Sequence, residues 1–491
     1  MTQATDTPAF SLTGAWRVLP QAERPQIRRT KIVATLGPAS SDPAVIDELA
    51  RAGMDAARLN FSHGTHDEHL ARLRAVRRAE ERIGRPLAVI ADLCGPKIRV
   101  GRLDEPRTLA AGEEATFVGA GEETGEDIGI TFPDLADVAE PGAALLINDG
   151  LIRTRVVRRV GRRLHARVEV GGVVTSGKGV NLPGTLLPIP ALTEKDIGDL
   201  EFALQHEVDY VALSFVRSAR DVERLRERIA ARGSSARIIA KVEKAEAVAN
   251  LDAILEVTDA VMVARGDLGV EIGVSEVPLV QKRMIAAARR SGRTVITATQ
   301  MLESMISSPE PTRAEASDVA NAIIDGSSAV MLSAETAAGE YPLEAVRFMS
   351  RIASVVEPTV AYDRDADLAE SDFASTLTRS ACDIAEELDA AVLAVPTETG
   401  ATARQLTRFR PRRPIVAACP HVGVLRRLAL EWGVVPLRVE AAESIEASWQ
   451  RILAAIGESE LAGAGDVLVL TGRTELELPG ATAHVLVHRV A

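Results

Sequence analysis

The sequence predicts an α/β chain: a (β/α)8 TIM barrel with an inserted small β-barrel lid domain and a C-terminal α/β domain. Three observations predict it. From Thr30 onward, apolar strand-like runs alternate with amphipathic helical stretches, and eight such runs fall within residues 31–332. Between the third and fourth, the rhythm gives way to short β-branched segments separated by glycines. After about Glu357 the alternation restarts as a separate unit.

The eight runs are Lys31 to Leu36, Met54 to Phe61, Leu87 to Leu93, Tyr210 to Phe215, Ile238 to Val242, Ala260 to Ala264, Thr294 to Ala298 and Ala329 to Leu332. A closed barrel of this kind keeps its chemistry at the C-terminal strand ends. Polar residues gather there: Arg58, Asn60, Ser62 and His63; Asp92; Ser214; Lys241 and Glu243; Asp267; Thr299 and Gln300; Ser333 and Glu335. The expected divisions are an N-terminal extension (1–28), the barrel (29–98 and 189–356), the insertion (99–188) and the C-terminal unit (357–491).

Residues 237–271 carry the densest chemistry. Side chains alternate faces along a strand, so Lys241 and Glu243 share one face and Val242 takes the other. A helical stretch from Glu246 to Leu255 returns the chain for a second, parallel strand ending in Arg265-Gly266-Asp267. Glu243 and Asp267 can then face one divalent ion, and oxygen-only ligands suit Mg²⁺ or Mn²⁺. The plainer alternative is a structural salt bridge from Lys241.

The insertion is punctuated by turn signals at Gly171-Gly172, Gly177-Lys178-Gly179 and Asn181-Leu182-Pro183-Gly184. Leaving from a βα loop, it emerges over the rim, where it can act as a lid. Lys178, between two glycines, is either a phosphate contact from the lid or a solvated turn lysine. His66 and His69, after Gly64, are expected to be solvated.

In the C-terminal unit, Ala390 to Val395, Pro414 to Ala418 and Val467 to Leu470 read as strands. Helices are expected at Ser375 to Glu387, Ala401 to Arg408, Val422 to Trp432 and Ile445 to Ser459. The loop Thr397, Glu398, Thr399, Gly400, Ala401 and Thr402 leads into a helix N-terminus, where free N–H groups favour an anion. It suits a phosphorylated effector or is an ordinary N-cap.

Composition narrows the classes. With 491 residues, 57 Lys and Arg against 69 Asp and Glu give a net charge of −12, which argues against a general nucleic-acid surface. Aromatics are only 3%, leaving few stacking platforms for single strands. Cys94, Cys382 and Cys419 are too scattered for a disulfide framework or a zinc site and suit a reducing, cytoplasmic setting. No run is long enough to span a bilayer, and the first twenty residues contain no continuous apolar segment.

Eight motifs then stand in order: Lys31-Ile-Val-Ala-Thr-Leu-Gly-Pro38, Ala57-Arg-Leu-Asn-Phe-Ser-His-Gly64, Asp92-Leu-Cys-Gly-Pro-Lys-Ile-Arg99, Ile239-Ala-Lys-Val-Glu243, Met262-Val-Ala-Arg-Gly-Asp-Leu-Gly269, Thr297-Ala-Thr-Gln-Met-Leu-Glu303, Pro311-Thr-Arg-Ala-Glu315 and Met331-Leu-Ser-Ala-Glu-Thr336. On these the chain resembles the pyruvate kinases from about Arg28 to its C-terminus. The resemblance implies transfer of a phosphoryl group from phosphoenolpyruvate to ADP, giving pyruvate and ATP, in a homotetramer with a regulatory C-terminal domain.

Carried onto these positions, the resemblance implies Mg²⁺ on Glu243 and Asp267, and the Gly266 and Asp267 amides with the Thr299 hydroxyl around the substrate carboxylate. Arg58 would grip the transferring phosphate, and Lys241 would neutralise charge on it and on the enolate. Asn60, His63, Arg99 and Lys178 would meet the nucleotide. Ser333 and Glu335 neighbour the point where the enolate gains its proton. Members that require K⁺ use the positions of Asn60, Ser62, Asp92 and the Leu93 carbonyl, and carry a Glu where this chain has Lys97. The tethered ammonium of Lys97 replaces that cation, so K⁺ is not expected to be required. Glu398 stands where some activated relatives have Lys, which disfavours fructose 1,6-bisphosphate and leaves another phosphorylated effector or none.

Another barrel enzyme acting on a pyruvate enolate with Mg²⁺ would share Glu243 and Asp267, but it gives no reason for the lid. A metabolite sensor on a barrel scaffold would require a missing catalytic residue, and none is missing.

Overall fold

A computed structural model describes residues 27–360, 362, 373–472 and 484–491. The expected N-terminal extension, residues 1–28, lies outside the described residues except for its last two.

Eight parallel strands close into a barrel: Lys31–Leu36, Ala56–Asn60, Ala88–Asp92, Tyr210–Leu213, Arg237–Val242, Ala260–Ala264, Thr294–Ala298 and Ala329–Leu332. The eighth returns to the first, with Lys31 opposite Ala329. Each strand is buried on both faces, which explains the near-continuous apolar runs. Val33, Ala56, Ile90, Ala212, Ile239, Met262 and Ile296 fill the interior, while Ile32, Ala57, Val89 and Ile238 pack outward under the helices.

That alternation places the chemistry. Two residues beyond an interior side chain lies another facing the same way. Ala56 therefore leads to Arg58, Ile90 to Asp92, Ala212 to Ser214, and Ile239 to Lys241 and Glu243. The interior is apolar below and charged at its C-terminal mouth.

The chain leaves the barrel after Asp92 and re-enters through the helix Glu194–Gln205. Between them lies a six-stranded sheet in the order Val180–Asn181, Ala144–Ile147, Ile152–Val160, Arg163–Val170, Glu114–Gly119, Ile128–Ile130, together with the pair Gly172–Val174 and Arg107–Leu109. It has its own core, including Phe117, Ile128, Leu145 and Leu164.

The C-terminal sheet runs Val434–Arg438, Ile415–Cys419, Val392–Pro396, Val467–Gly472, His484–Arg489, the last strand antiparallel. Two of these strands are absent from the sequence reading. Pro436 interrupts the first, and the second is an edge strand whose Leu486 and Val487 are exposed, so neither has the pattern of a buried strand. The unit plugs the base of the barrel: Leu430 joins the barrel-interior cluster, and Lys31 Nζ donates to the Val434 carbonyl at 2.7 Å.

Two helices differ from expectation. The single helix from Glu246 to Leu255 is two pieces, Ala245–Ala249 and Leu251–Val257, broken at Asn250, whose amide turns to the Arg217 carbonyl (2.9 Å). The helix from Val422 ends at Leu428, four residues short of Trp432. Among the described residues no helix is long and apolar enough to cross a membrane.

Candidate active site

Lys241 stands at the centre of the mouth. Its ammonium donates to the Ser214 hydroxyl at 2.7 Å and lies 2.9 Å from Glu243 Oε1 and 3.3 Å from Asp92 Oδ1. Burial works against its charge, but Asp92 and Glu243 overcome that and hold its pKa above the usual lysine value, so it is an ammonium at neutral pH. Asp92 is buried too, yet Lys241 and Arg58 keep its carboxyl below the ordinary range.

Arg58 donates Nε to Asp92 Oδ2 at 2.6 Å and Nη1 to the Thr35 hydroxyl at 3.1 Å. Part of its fork is thus spent on the protein, and the Nη2 edge remains for an anion. Thr35, absent from the sequence-derived set, lies two residues past interior Val33. The parity that places Arg58 could have found it.

Glu243 is 1% exposed and accepts the Phe215 N–H on Oε2 at 2.8 Å, made possible by the positive φ of Phe215, 55°. Burial pushes its proton affinity up, and the like charge of Asp267 adds to that while Lys241 opposes it. Two carboxylates that repel in a dry setting, both hard oxygen donors, fit a divalent cation such as Mg²⁺ or Mn²⁺. Among the described residues no group of three or more His, Cys, Asp or Glu is poised for a metal. A pair of carboxylates instead leaves coordination positions for substrate and water.

Asp267 sits in the first turn of the helix Arg265–Ile272, beside Gly266. The Gly266 N–H donates to Thr299 Oγ1 at 2.8 Å, and that hydroxyl donates to the Ala298 carbonyl at 2.7 Å. Two of the expected carboxylate receptors, the Gly266 N–H and the Thr299 hydroxyl, are therefore bonded to one another. Thr299 and Gln300 both have left-handed backbones, φ 68° and 54°. Each such residue costs about 1–3 kcal/mol, and for a β-branched threonine it is a true outlier.

Glu335 accepts the Leu302 N–H at 3.1 Å and the Ser333 N–H at 2.7 Å. Both carboxylate oxygens thus brace the turns at the ends of the seventh and eighth strands. Ser333 Oγ is buried without a hydrogen-bond partner.

The lid meets the barrel across a cleft lined by Lys97, Asn181, Phe215, Arg217, Lys244 and Asp267 among others. Lys244 Nζ donates to Glu271 Oε1 at 2.5 Å, and Asn181 of the lid reaches the same oxygen at 3.3 Å. Arg217 holds the returning lid segment through the Leu187 and Ile189 carbonyls, both at 2.6 Å. Lys244 and Glu271 lie in the stretch 237–271 and Asn181 in a turn signal that the sequence marked, whereas Arg217 lies in no marked segment.

Arg99 and Lys178 come together on the lid: Arg99 pairs with Gly179 and donates Nη1 to the Gly177 carbonyl at 2.9 Å, and Lys178 is exposed. His63 is exposed on the barrel rim, in the loop ahead of the Thr65 cap of the helix His66–Ile83. His69 is not solvated as expected but 2% exposed, stacked on Phe61 at 4.3 Å with Nε2 on the His63 carbonyl. His66 is half exposed but bonded, with Nε2 2.7 Å from Asp199 Oδ1.

At three of the K⁺-ligand positions, Asn60, Asp92 and Leu93, the oxygens have protein partners. Asn60 Oδ1 accepts the Ser62 N–H, Leu93 O accepts the Ser214 hydroxyl at 2.7 Å, and Asp92 is shared by Arg58 and Lys241. In the C-terminal loop the Gly400 N–H donates to the Thr397 hydroxyl at 2.8 Å, and Arg404 and Arg237 both reach the Thr399 carbonyl. Ala401 and Thr402 open the helix Ala401–Arg408, and Glu398 pairs with His421 at 2.8 Å.

Comparison with known proteins agrees over nearly the whole chain. A family model described as pyruvate kinase, barrel domain, matches residues 27–346, and one described as pyruvate kinase, alpha/beta domain, matches 375–488. The chain is similar to pyruvate kinase 2 of Synechocystis sp., with 46% identity over 93% of this chain and 78% of the relative. It is similar to a pyruvate kinase of Agrobacterium vitis (44%, covering 94% and 97%) and to one of Mycobacterium tuberculosis (44%, covering 94% and 98%).

Proposed function

The chain belongs to the pyruvate kinase family, and on that premise we propose that Arg58, Lys241, Glu243, Asp267 and Thr299 carry its reaction. The family is one of phosphotransferases with phosphoenolpyruvate and ADP as substrates, pyruvate and ATP as products and a divalent metal as cofactor. The observation that supports this assignment best is the buried ammonium of Lys241, shared by Asp92 and Glu243, with Asp267 close enough to perturb Glu243.

Phosphoryl transfer asks little covalent chemistry of a protein and much alignment and charge compensation. Arg58, stiffened by Asp92 and Thr35, orients the phosphate with its free edge. Lys241 lies where negative charge develops on the moving phosphoryl and on the enolate oxygen left behind. A preorganised donor of this kind in a dry site contributes roughly 3 kcal/mol to lowering the barrier.

Glu243 and Asp267 would hold the divalent ion, Mg²⁺ or Mn²⁺, which supplies Lewis-acid compensation for the substrate's phosphate and enolate oxygens. The substrate carboxylate takes the Gly266 and Asp267 amides and the Thr299 hydroxyl, replacing the bond that Gly266 and Thr299 make to each other. A hydroxyl of such high pKa is a weak acid, so Thr299 positions rather than protonates. The lid excludes water from the cleft, and Arg99 and Lys178 on it, with Asn60 and His63 on the rim, face the nucleotide phosphates.

Lys97 supplies one fixed positive charge in the cleft, so the reaction runs without K⁺. The C-terminal loop from Thr397 to Thr402 is read as a site for a phosphorylated effector other than a sugar bisphosphate. A coupled assay of pyruvate formation, with and without ADP, tests the assignment: ADP-dependent pyruvate with matching ATP supports it, and ADP-independent pyruvate contradicts it.

A further inference from the structure

Arg265 is not in the set of residues to which a role has been given, yet it makes more contacts to the site's backbone than any member of that set. It opens the helix that carries Gly266 and Asp267, and its side chain turns back to the end of the seventh barrel strand. Nη2 donates to the Thr299 carbonyl at 2.8 Å, to the Gln300 carbonyl at 3.3 Å and toward Met301 Sδ at 2.9 Å. Nε lies 3.3 Å from both the Ala298 and the Thr299 carbonyls. Nη1 is fixed from behind by the Asp318 carboxylate, 2.7 and 2.8 Å from its two oxygens.

These acceptors are consecutive, and they are the carbonyls of the turn in which Thr299 and Gln300 hold left-handed backbones. Such a turn persists only when its surroundings over-determine it. Glu335 braces it through the Leu302 N–H, and the Gly266 N–H meets the Thr299 hydroxyl. The guanidinium takes its carbonyls. Its planar fork reaches several carbonyls at once, which a single ammonium cannot do.

We propose that Arg265 is a positioning residue for the substrate-carboxylate subsite: by clamping the Ala298–Gln300 turn it holds the Thr299 hydroxyl in register with the Gly266 and Asp267 amides. It touches neither substrate nor metal. The inference rests on the assignment of that subsite under the proposed function and deepens it. The carboxylate does not react, so its contacts are equal in ground and transition states, and loosening them raises KM without lowering kcat.

The test is steady-state kinetics of the full chain for wild type, Arg265→Met, Arg265→Lys and Asp318→Asn, with thermal midpoints measured alongside. Arg265→Met is expected to raise the phosphoenolpyruvate KM by about tenfold or more, with kcat and the ADP KM within about threefold of wild type. Arg265→Lys recovers little of the loss. Asp318→Asn, which only frees the back of the guanidinium, shifts the phosphoenolpyruvate KM in the same direction by about threefold and decides the matter if Arg265→Met does not fold.

An unchanged phosphoenolpyruvate KM, an equal rise in the ADP KM, or full recovery with lysine overturns the inference. Wild-type enzyme that forms no pyruvate from phosphoenolpyruvate and ADP defeats the proposed function instead, so the two failures are distinct.

Discussion

Arg58 and Asp92 are joined by a 2.6 Å bond from Nε to Oδ2 in a site where Asp92 is 1% exposed. The arginine is thus oriented before any substrate arrives. Replacing it with lysine keeps a charge but loses the Nε donor, the Nη1 bond to Thr35 and the second edge for phosphate. Arg58→Lys is expected to lower kcat/KM for phosphoenolpyruvate by about 10²-fold while leaving the ADP KM nearly unchanged. Steady-state kinetics with each substrate varied in turn checks this.

Lys97 lines the cleft between lid and barrel together with Asp267. If its ammonium replaces a monovalent cation, velocity measured against KCl at constant ionic strength rises by less than about tenfold. Lys97→Glu should then become K⁺-requiring. A wild-type enzyme strongly activated by K⁺ rejects the argument.

Glu398 is paired with His421 beside the loop from Thr397 to Thr402. Its carboxylate opposes a sugar bisphosphate, each of whose two phosphates carries about −1.5 to −2 at neutral pH. At subsaturating phosphoenolpyruvate, fructose 1,6-bisphosphate is expected to change initial velocity by less than about twofold. AMP and ribose 5-phosphate belong in the same titration, and a strong response to the bisphosphate alone defeats the charge reading.

Lys31 joins the barrel base to the C-terminal unit, and burial pushes its pKa down to about 8, with Asp55 only partly offsetting this. The folded state therefore holds fewer protons than the unfolded state, with its lysine near 10.5, between those two values. Stability then rises with pH through that window, and the full cost of the buried charge is present below it. The linked change is about 3 kcal/mol. Thermal midpoints of wild type and Lys31→Met from pH 7 to 10.5 check it: their difference should shift in favour of wild type as pH rises.

The barrel and its mouth were legible because period-two alternation puts Ile239, Lys241 and Glu243 on one face and a parallel barrel repeats that rule eight times. The residues that brace the site were not. Arg265, Arg217 and Lys244 act through backbone carbonyls or carboxylates that become neighbours only when separate elements meet, and no local spacing announces that. His69 was misread because its polar type implied solvent, whereas stacking on Phe61 and a bond to the His63 carbonyl make its burial tolerable. The edge strand His484–Arg489 escaped because it is only half covered.

Lys241 decides the account. The most direct measurement is kcat for pyruvate formation by Lys241→Met, with phosphoenolpyruvate binding to wild type and variant compared at saturating Mg²⁺. Loss of the ammonium predicts a fall in kcat of about 10²- to 10³-fold with substrate affinity changed by less than about tenfold. A variant that keeps kcat within about threefold of wild type would contradict the central claim.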